Sequence, residues 1–104
     1  MLHSTYGMER FRDEGTEDIY NGRNTPAARR TLPEQFHAKA AKKIDLLFIA
    51  SALRDLRYPP GNHLHDLGRD RKGQWAIKIN GQYRVCFIWN ESEGARLIEI
   101  TDYH

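Results

Sequence analysis

The longest periodic stretch of the chain lies at residues 33–50, where apolar residues recur with the spacing of an α-helix. They fall at i, i+4, i+8, i+11 and i+12, on one stripe of the helix surface: Phe36, Ala40, Ile44, Leu47 and Phe48. Pro33 suits the first helical position, where a missing N–H leaves nothing unpaired. The pattern predicts a helix with this stripe in the core and with solvated lysines on the other side, at Lys39, Lys42 and Lys43.

Two stretches of alternating apolar and polar residues, at 75–79 and 83–89, predict neighbouring strands of a β-hairpin. Asn80-Gly81 lies between them, and this dipeptide favours a type I′ turn, in which both central residues have positive φ. A two-residue turn pairs Ile77 with Arg84, whereas a three-residue bulged turn shifts the register and reverses the faces of one strand. The sequence alone therefore leaves open which face of the sheet Arg84 occupies.

Shorter signals precede the long helix. Residues 9–12 predict a short strand with Phe11 facing inward. Residues 16–22 predict a short helix, because Thr16 can act as its N-cap and Gly22 can end it.

The remaining signals complete the order of elements. Residues 24–31 are polar and predict a loop, and Ser51 is the expected N-cap of a short helix at 52–56. Residues 96–101 predict a third strand after a polar turn. Helices followed by three consecutive antiparallel strands indicate an α+β fold, with N-terminal helices packed on one face of a small antiparallel sheet.

Length and composition narrow the class of protein. With 104 residues we expect a single domain over residues 1–104, with residues 1–10 as a loose N-terminal extension. No apolar run approaches the roughly 20 residues of a membrane span, and the N-terminus lacks the apolar segment of a secretory signal. We therefore expect a cytoplasmic protein with no membrane partner. Cys86 has no partner for an internal disulfide and is expected to be a small buried side chain.

Residues with chemical potential gather before the hairpin, within it and at the carboxyl terminus. The net charge is only +2, so the distribution of the charges matters more than their sum. The loop before the hairpin carries two histidines and three cations: His63, His65, Arg69, Arg71 and Lys72. The hairpin adds Lys78 and Arg84, and the chain ends in Asp102, Tyr103 and His104.

This set of side chains suits the cleavage of RNA without a metal ion or another cofactor. A base must take the proton of the 2′-OH, an acid must protonate the leaving 5′-oxygen, and a cation must stabilise the charge on the phosphorane. An unperturbed histidine, with a pKa of about 6.5, can play either proton role, and arginine bonds two phosphate oxygens at once. An exposed tyrosine can stack on an unpaired base.

Structural interpretations of the same residues stay open at this point. His65 could serve only to cap a turn, and His63 could simply be exposed. Arg84 could pair with Asp102 for stability, and the last three residues could be a frayed tail. The cations could form an ordinary solvated surface.

Three stretches of the chain resemble HigB-type toxins of the RelE/ParE superfamily, which belong to bacterial toxin–antitoxin systems. They are FRDEGTEDIYNG at residues 11–22, YPPGNHLHDL and DRKGQWAIKINGQYRVCFIW within residues 58–89, and EITDYH at residues 99–104. The resemblance covers residues 11–104, and its specific part is the central block combined with a terminal Asp-Tyr-His.

The resemblance implies a small RelE-like toxin with a concave sheet that enters the ribosomal A site and cuts the mRNA there. It also implies a neutralising antitoxin of the HigA type, a helix-turn-helix protein through which the pair binds and represses its own operator DNA. Carried over by position, the catalytic residues are His65, Arg84, Asp102, Tyr103 and His104. The RNA-binding residues are expected to be His63, Arg69, Arg71, Lys72 and Lys78.

Two features depart from the family pattern. Such toxins commonly read Leu-Lys-Gly-Asp in the basic loop, whereas this chain reads Leu67-Gly68-Arg69-Asp70, so the cation is displaced by one residue. Either Arg69 substitutes for that lysine with its longer reach, or activity is reduced. Residues 1–7 look like additional sequence, which makes Met8 an alternative start.

Two further functions compete with the nuclease. One is a ParE-like toxin that poisons DNA gyrase by binding alone, and the other is a weakened toxin that acts mainly as a co-repressor with its antitoxin. The two loop histidines and the terminal Tyr-His favour the nuclease, because a protein that only binds needs no proton-transfer groups.

Overall fold

The computed structural model describes residues 9–103, which form three α-helices and a four-stranded antiparallel sheet. The helices are α1 (Glu14–Tyr20), α2 (Pro26–Thr31) and α3 (His37–Ile49). The strands are β1 (His65–Asp66), β2 (Gln74–Lys78), β3 (Tyr83–Asn90) and β4 (Gly94–Asp102), in the spatial order β1-β2-β3-β4. Short 3₁₀ turns lie at Glu34–Phe36, Leu53–Arg57, Pro60–Asn62 and Arg69–Arg71.

The helices pack on one face of the sheet, which confirms the predicted α+β fold. One buried cluster contains residues from both layers. The helices and the residue after α2 contribute Ile19, Ala28, Leu32, Ala40, Ile44 and Leu47, and the strands contribute Ile77, Val85, Phe87, Ala95, Ile98 and Ile100. Because this cluster draws on both layers, burial of apolar surface holds the helices against the sheet.

The helix predicted over residues 33–50 is confirmed as α3, but its start was wrongly predicted. It begins at His37, and Pro33 precedes the 3₁₀ turn Glu34–Phe36 instead of taking the first helical position. Ala40, Ile44 and Leu47 are buried, and Phe36 and Phe48 pack at the edge of the core, as the 3.6-residue period required. None of the helices between residues 9 and 103 has the length and apolar character needed to cross a bilayer.

The first helix is confirmed, but its start was wrongly predicted. Its N-cap is Asp13, whose Oδ1 accepts from the Thr16 N–H at 2.7 Å. Thr16 lies inside the helix and is buried. Gly22 follows the helix with a φ of +77°, a backbone conformation that suits the expected stop.

The loop predicted at 24–31 is wrong, because residues 26–31 form α2. Thr25 caps this helix by accepting from the Ala28 N–H at 3.1 Å, and Pro26 takes the first helical position. A helix of six residues is too short to show a periodic pattern and depends on tertiary packing. The Thr25 hydroxyl also donates to Asp18 in α1 at 2.7 Å, which ties the two helices together.

The N-cap assigned to Ser51 is also wrong. Ala52 occupies that position, before the 3₁₀ turn Leu53–Arg57. The Asp55 carboxylate instead accepts from the backbone N–H groups of Ser51 and Ala52, at 3.0 and 3.1 Å.

The connection between β2 and β3 is not the type I′ turn that Asn80-Gly81 predicted. Neither residue has positive φ, and the register pairs Ile77 with Val85, as a three-residue connection requires. Asn80 stabilises this connection through its Oδ1, which accepts from the N–H groups of Gln82 and Tyr83, both at 2.8 Å. A side chain that mimics a backbone turn in this way removes the need for positive φ.

The segment at the N-terminal end of the described chain runs beside β4. Phe11 forms a parallel bridge with Ile98, and the Glu9 and Arg10 carbonyls each accept a backbone N–H from β4 at 2.9 Å. The strand predicted at residues 9–12 is therefore only a single bridge. Residues 9 and 10, which were expected to be part of a loose extension, are hydrogen-bonded to β4. Residues 1–8 of the expected extension, with the alternative start at Met8, lie outside the described residues.

Candidate active site

One face of the sheet carries the helices, and we call the opposite one the open face. Register pairs place two rows of residues on it: His65, Ala76, Cys86 and Glu99 in one row, and Lys78, Arg84 and Thr101 in the next. Directly opposed residues of antiparallel strands point to the same face, and their sequence neighbours Ile77, Val85 and Ile100 lie in the core. The register set by the three-residue connection between β2 and β3 therefore puts Arg84 on the same face as His65.

The first row depends on β1, a two-residue strand that the sequence analysis did not predict. His65 and Asp66 pair with Ala76 and Trp75, so the loop expected before the hairpin adds a fourth strand at its edge. This pairing fixes His65 on the open face.

A hydrogen bond orients the His65 ring. Its Nδ1 lies 2.9 Å from the backbone carbonyl oxygen of His63. A carbonyl oxygen can only accept, so Nδ1 carries a hydrogen and the lone pair of the neutral ring lies on Nε2. His63 itself is exposed, and its backbone has a φ of +48°. Its backbone carbonyl thus orients His65, while its own side chain stays accessible.

Arg84 is held from two directions. Its Nε donates to the Thr101 hydroxyl at 3.3 Å, and its guanidinium lies over the Tyr103 ring, 4.9 Å from the ring centre. Lys78 stands directly opposite Arg84 in the register. Like charges in such a position repel each other, so a bound anion would relieve an unfavourable pair.

The carboxyl-terminal segment is fastened to the connection between β2 and β3. The Tyr103 N–H donates to the Gln82 carbonyl at 2.8 Å, and the Gln82 amide donates to Asp102 Oδ2 at 3.0 Å. Asp102 is the last residue of β4. Through residue 103, then, the tail is bonded to the sheet, while His104 lies outside the described residues.

These pieces surround a shallow depression of about 300 Å³ lined by His63, His65, Lys78, Gly81 and Tyr103. That volume is at the small end for sites that enclose a small molecule. An open depression bordered by an imidazole, a lysine and an aromatic ring can instead receive one link of an extended polyanion. His65 and the C-terminal segment therefore meet on one side of the sheet.

The basic loop shows why its cation is displaced. Gly68 has φ +65° and ψ −143°, a conformation that strongly favours glycine, so a lysine at this position would be strained. Arg69 and Lys72 are exposed, whereas the Arg71 guanidinium donates to Glu99 on β4 at 3.1 Å. Of the three loop cations that were expected to bind RNA, Arg69 and Lys72 are therefore accessible, whereas Arg71 is already paired with a carboxylate.

A buried asparagine positions the segment before His63. Asn62 is fully buried, donates to the Leu56 and Tyr58 carbonyls, and accepts from Lys43 Nζ on α3 at 2.6 Å. Burial, with a smaller contribution from the neighbouring Lys39, lowers the pKa of Lys43. The histidine segment is thereby tied to the helical layer.

Three residues that organise this face had no signal in the sequence. Gln82 binds the tail, Thr101 binds Arg84, and Glu99 binds Arg71. Once the register is known, Thr101 and Glu99 can be found as the partners opposite Arg84 and Cys86.

Cys86 is fully buried, as predicted, with its Sγ 3.3 Å from the Thr101 hydroxyl. Between residues 9 and 103, no three His, Cys, Asp or Glu side chains cluster as a metal site requires.

Comparison with known proteins places the chain in a family. The sequence profile of HigB-like toxins, described as RelE-like toxins of the type II toxin–antitoxin system HigB, matches residues 9–104. Toxin HigB-1 of Vibrio cholerae is 33% identical over 94 residues, which cover 90% of this chain and 94% of that toxin. An uncharacterized protein of Haemophilus influenzae is 29% identical over 85 residues, or 82% of this chain and 81% of that protein. The chain therefore belongs to the HigB-like family of RelE-like toxins from type II toxin–antitoxin systems, and as such it has an antitoxin partner.

Proposed function

We propose that this toxin is a metal-independent endoribonuclease that cuts mRNA in the ribosomal A site and thereby arrests translation in the cytoplasm. A HigA-type helix-turn-helix antitoxin neutralises it, and the pair contacts operator DNA through the antitoxin. The observation that carries this proposal is the meeting of His65, Lys78 and Tyr103 around one depression, with Arg84 stacked on Tyr103.

Each group has a role in this reaction. His65 exchanges protons through Nε2, because Nδ1 is committed to the His63 carbonyl. Arg84 and Lys78 hold the scissile phosphate, which offsets the repulsion between these two opposed cations. Tyr103 stacks a base on the ring face away from Arg84.

The terminal residues complete the set. Asp102 orients its neighbours, and His104 supplies the second proton-transfer group. His63, Arg69 and Lys72 contact the RNA backbone at the rim of the depression, whereas Arg71 binds Glu99 instead. The ribosome holds the phosphodiester in line for attack, and an open depression with few acid–base groups needs that help.

The test is cleavage of a defined mRNA on purified ribosomes that carry a vacant A site. Arg84→Ala and a deletion of Tyr103 and His104 should each lower the cleavage rate by about 100-fold or more. Lys42→Ala serves as the matched control, since Lys42 is an exposed cation on α3 and should leave the rate unchanged. Antitoxin binding should persist in all three variants.

Three results would overturn the proposal. Efficient cleavage of the same RNA without ribosomes would show that the reaction does not require the ribosome. Full activity of Arg84→Ala and of the deletion of Tyr103 and His104 would show that these residues do not form the active site. Inhibition of gyrase supercoiling by a wild-type chain that cuts no mRNA would establish the ParE-like alternative.

A further inference from the structure

A carboxylate lies on the open face, which is proposed to bind RNA. Glu99 belongs to β4 and stands opposite Cys86, in the same row as His65. Its Oε2 accepts from Arg12 Nε at 2.6 Å and from Arg71 Nη2 at 3.1 Å, and its side chain is only 15% exposed. A lone carboxylate here would repel phosphate, whereas one that is shared by two guanidinium groups contributes little net negative charge.

The contact from Arg71 constrains the connection between β1 and β2. Arg71 belongs to that connection, at the β1 edge of the sheet, whereas Glu99 lies on β4 at the far end of the strand order. Three strand spacings, about 14 Å, separate β1 from β4, which is more than an arginine side chain can span. Residues 67–73 therefore lean over the open face to bring Arg71 to Glu99.

The burial of the intervening residues agrees with this geometry. Ala76 and Cys86 stand between His65 and Glu99 in the row, and both are fully buried. They point away from the helices and do not belong to the main core cluster. We attribute their burial to the connection that Arg71 and Glu99 hold over them.

We propose that Glu99 is a positioning residue for the nuclease reaction. By holding Arg71, it fastens residues 67–73 over the open face, so that Arg69 and Lys72 stand beside the depression that His65 and Lys78 line. Glu99 touches neither RNA nor the reacting atoms, and it acts through Arg71. This inference rests on the proposed function for its effect on catalysis, but not for its effect on the loop.

The experiment compares Glu99→Gln, Arg71→Gln and the control Arg12→Gln. Arg12 contacts the same carboxylate oxygen from the segment beside β4, so its removal breaks an ion pair without touching residues 67–73. Two experiments are made on each variant: hydrogen exchange of the backbone amides at 67–73, and steady-state kinetics that give kcat and KM for mRNA cleavage on ribosomes. Far-UV circular dichroism and thermal unfolding confirm that each variant is folded.

We expect faster exchange at residues 67–73 in the Glu99 and Arg71 variants, with kcat lowered roughly 10- to 100-fold, the size that a misplaced group causes. The double variant should be no worse than either single one, since both remove the same contact. Arg12→Gln should match the wild-type chain in both measurements, because Arg12 lies outside residues 67–73 and the contact between Arg71 and Glu99 is still present in that variant.

Unchanged exchange at residues 67–73 in Glu99→Gln would overturn the proposal, and so would faster exchange with an unchanged kcat. An Arg12→Gln defect as large as that of Glu99→Gln would assign the carboxylate to the N-terminal segment instead. If the wild-type chain cuts no mRNA, the proposed function fails, and the exchange data alone decide whether Glu99 fastens the loop. If Glu99→Gln does not fold, Arg71→Gln is compared with the wild-type chain instead, because it breaks the same contact and keeps the Glu99 carboxylate.

Discussion

The Arg84 guanidinium lies over the Tyr103 ring, 4.9 Å from its centre, and this contact joins β3 to the carboxyl-terminal segment. The two residues are 19 positions apart in the chain. A cation over an aromatic face is stabilised by the ring quadrupole, so each side chain limits the movement of the other. The group expected to hold phosphate and the group expected to stack a base are thus positioned as a pair.

The first prediction follows from this pair. Tyr103→Ala removes both the support of Arg84 and the stacking surface, so mRNA cleavage on ribosomes should fall about 10-fold or more, in line with the energy of base stacking. Tyr103→Phe retains the ring and should stay within a few-fold of the wild-type rate. Equal losses in the two variants would show that the hydroxyl, and not the ring face, is what matters.

The second prediction concerns the backbone at Gly68. A Cβ would meet no atom within 4 Å at either Gly68 or Gly61, but only Gly68 has positive φ. Gly68→Ala should therefore lower the free energy of unfolding by about 1–3 kcal/mol through backbone strain alone. Gly61→Ala should leave it unchanged or raise it by about 0.4–1 kcal/mol, because it restricts only the unfolded chain. Urea unfolding measures both, and equal effects would contradict the role assigned to φ.

The third prediction concerns the link between α1 and β4. The Ile100 N–H donates to the buried Thr16 hydroxyl at 3.0 Å. Thr16→Val keeps the shape but leaves that N–H without its acceptor, which should cost about 1–3 kcal/mol of stability and speed exchange of the Ile100 amide. Thr16→Ser keeps the hydroxyl, so the Ile100 amide should still exchange slowly. Fast exchange in the serine variant would mean that packing, and not the hydrogen bond, protects this amide.

The fourth prediction is a pH dependence at Asp18. The hydrogen bond from Thr25, aided by Arg23, holds the pKa of this carboxyl below its usual value of 3.8, although burial acts in the opposite direction. The carboxylate therefore stabilises the fold fully above pH 3.8, and that contribution is lost as the pH falls through the lower pKa of the folded state. Asp18→Asn should lower the urea midpoint at neutral pH, and the difference from wild type should shrink in acid. A difference that stays constant with pH would rule out this linkage.

Local sequence patterns were sufficient for the elements that are long or strongly alternating. The stripe from Phe36 to Phe48 predicted α3, and the alternation before and after Asn80-Gly81 predicted β2 and β3, because side-chain periodicity reports directly which face is buried. The same reasoning failed for α2 and β1. Six and two residues are too few to show a period, and both elements exist through contacts with neighbours that are distant in the chain.

The sequence by itself determined the fold class and the identity of the candidate catalytic side chains. Only the tertiary structure decided that Arg84 faces the same way as His65, since a one-residue change of turn length reverses that face. It also decided that Arg71 contacts Glu99, 28 residues away, and that Tyr103 lies under Arg84. Periodicity and capping act over a few residues, whereas these contacts depend on strand register and on how a connection folds over the finished sheet.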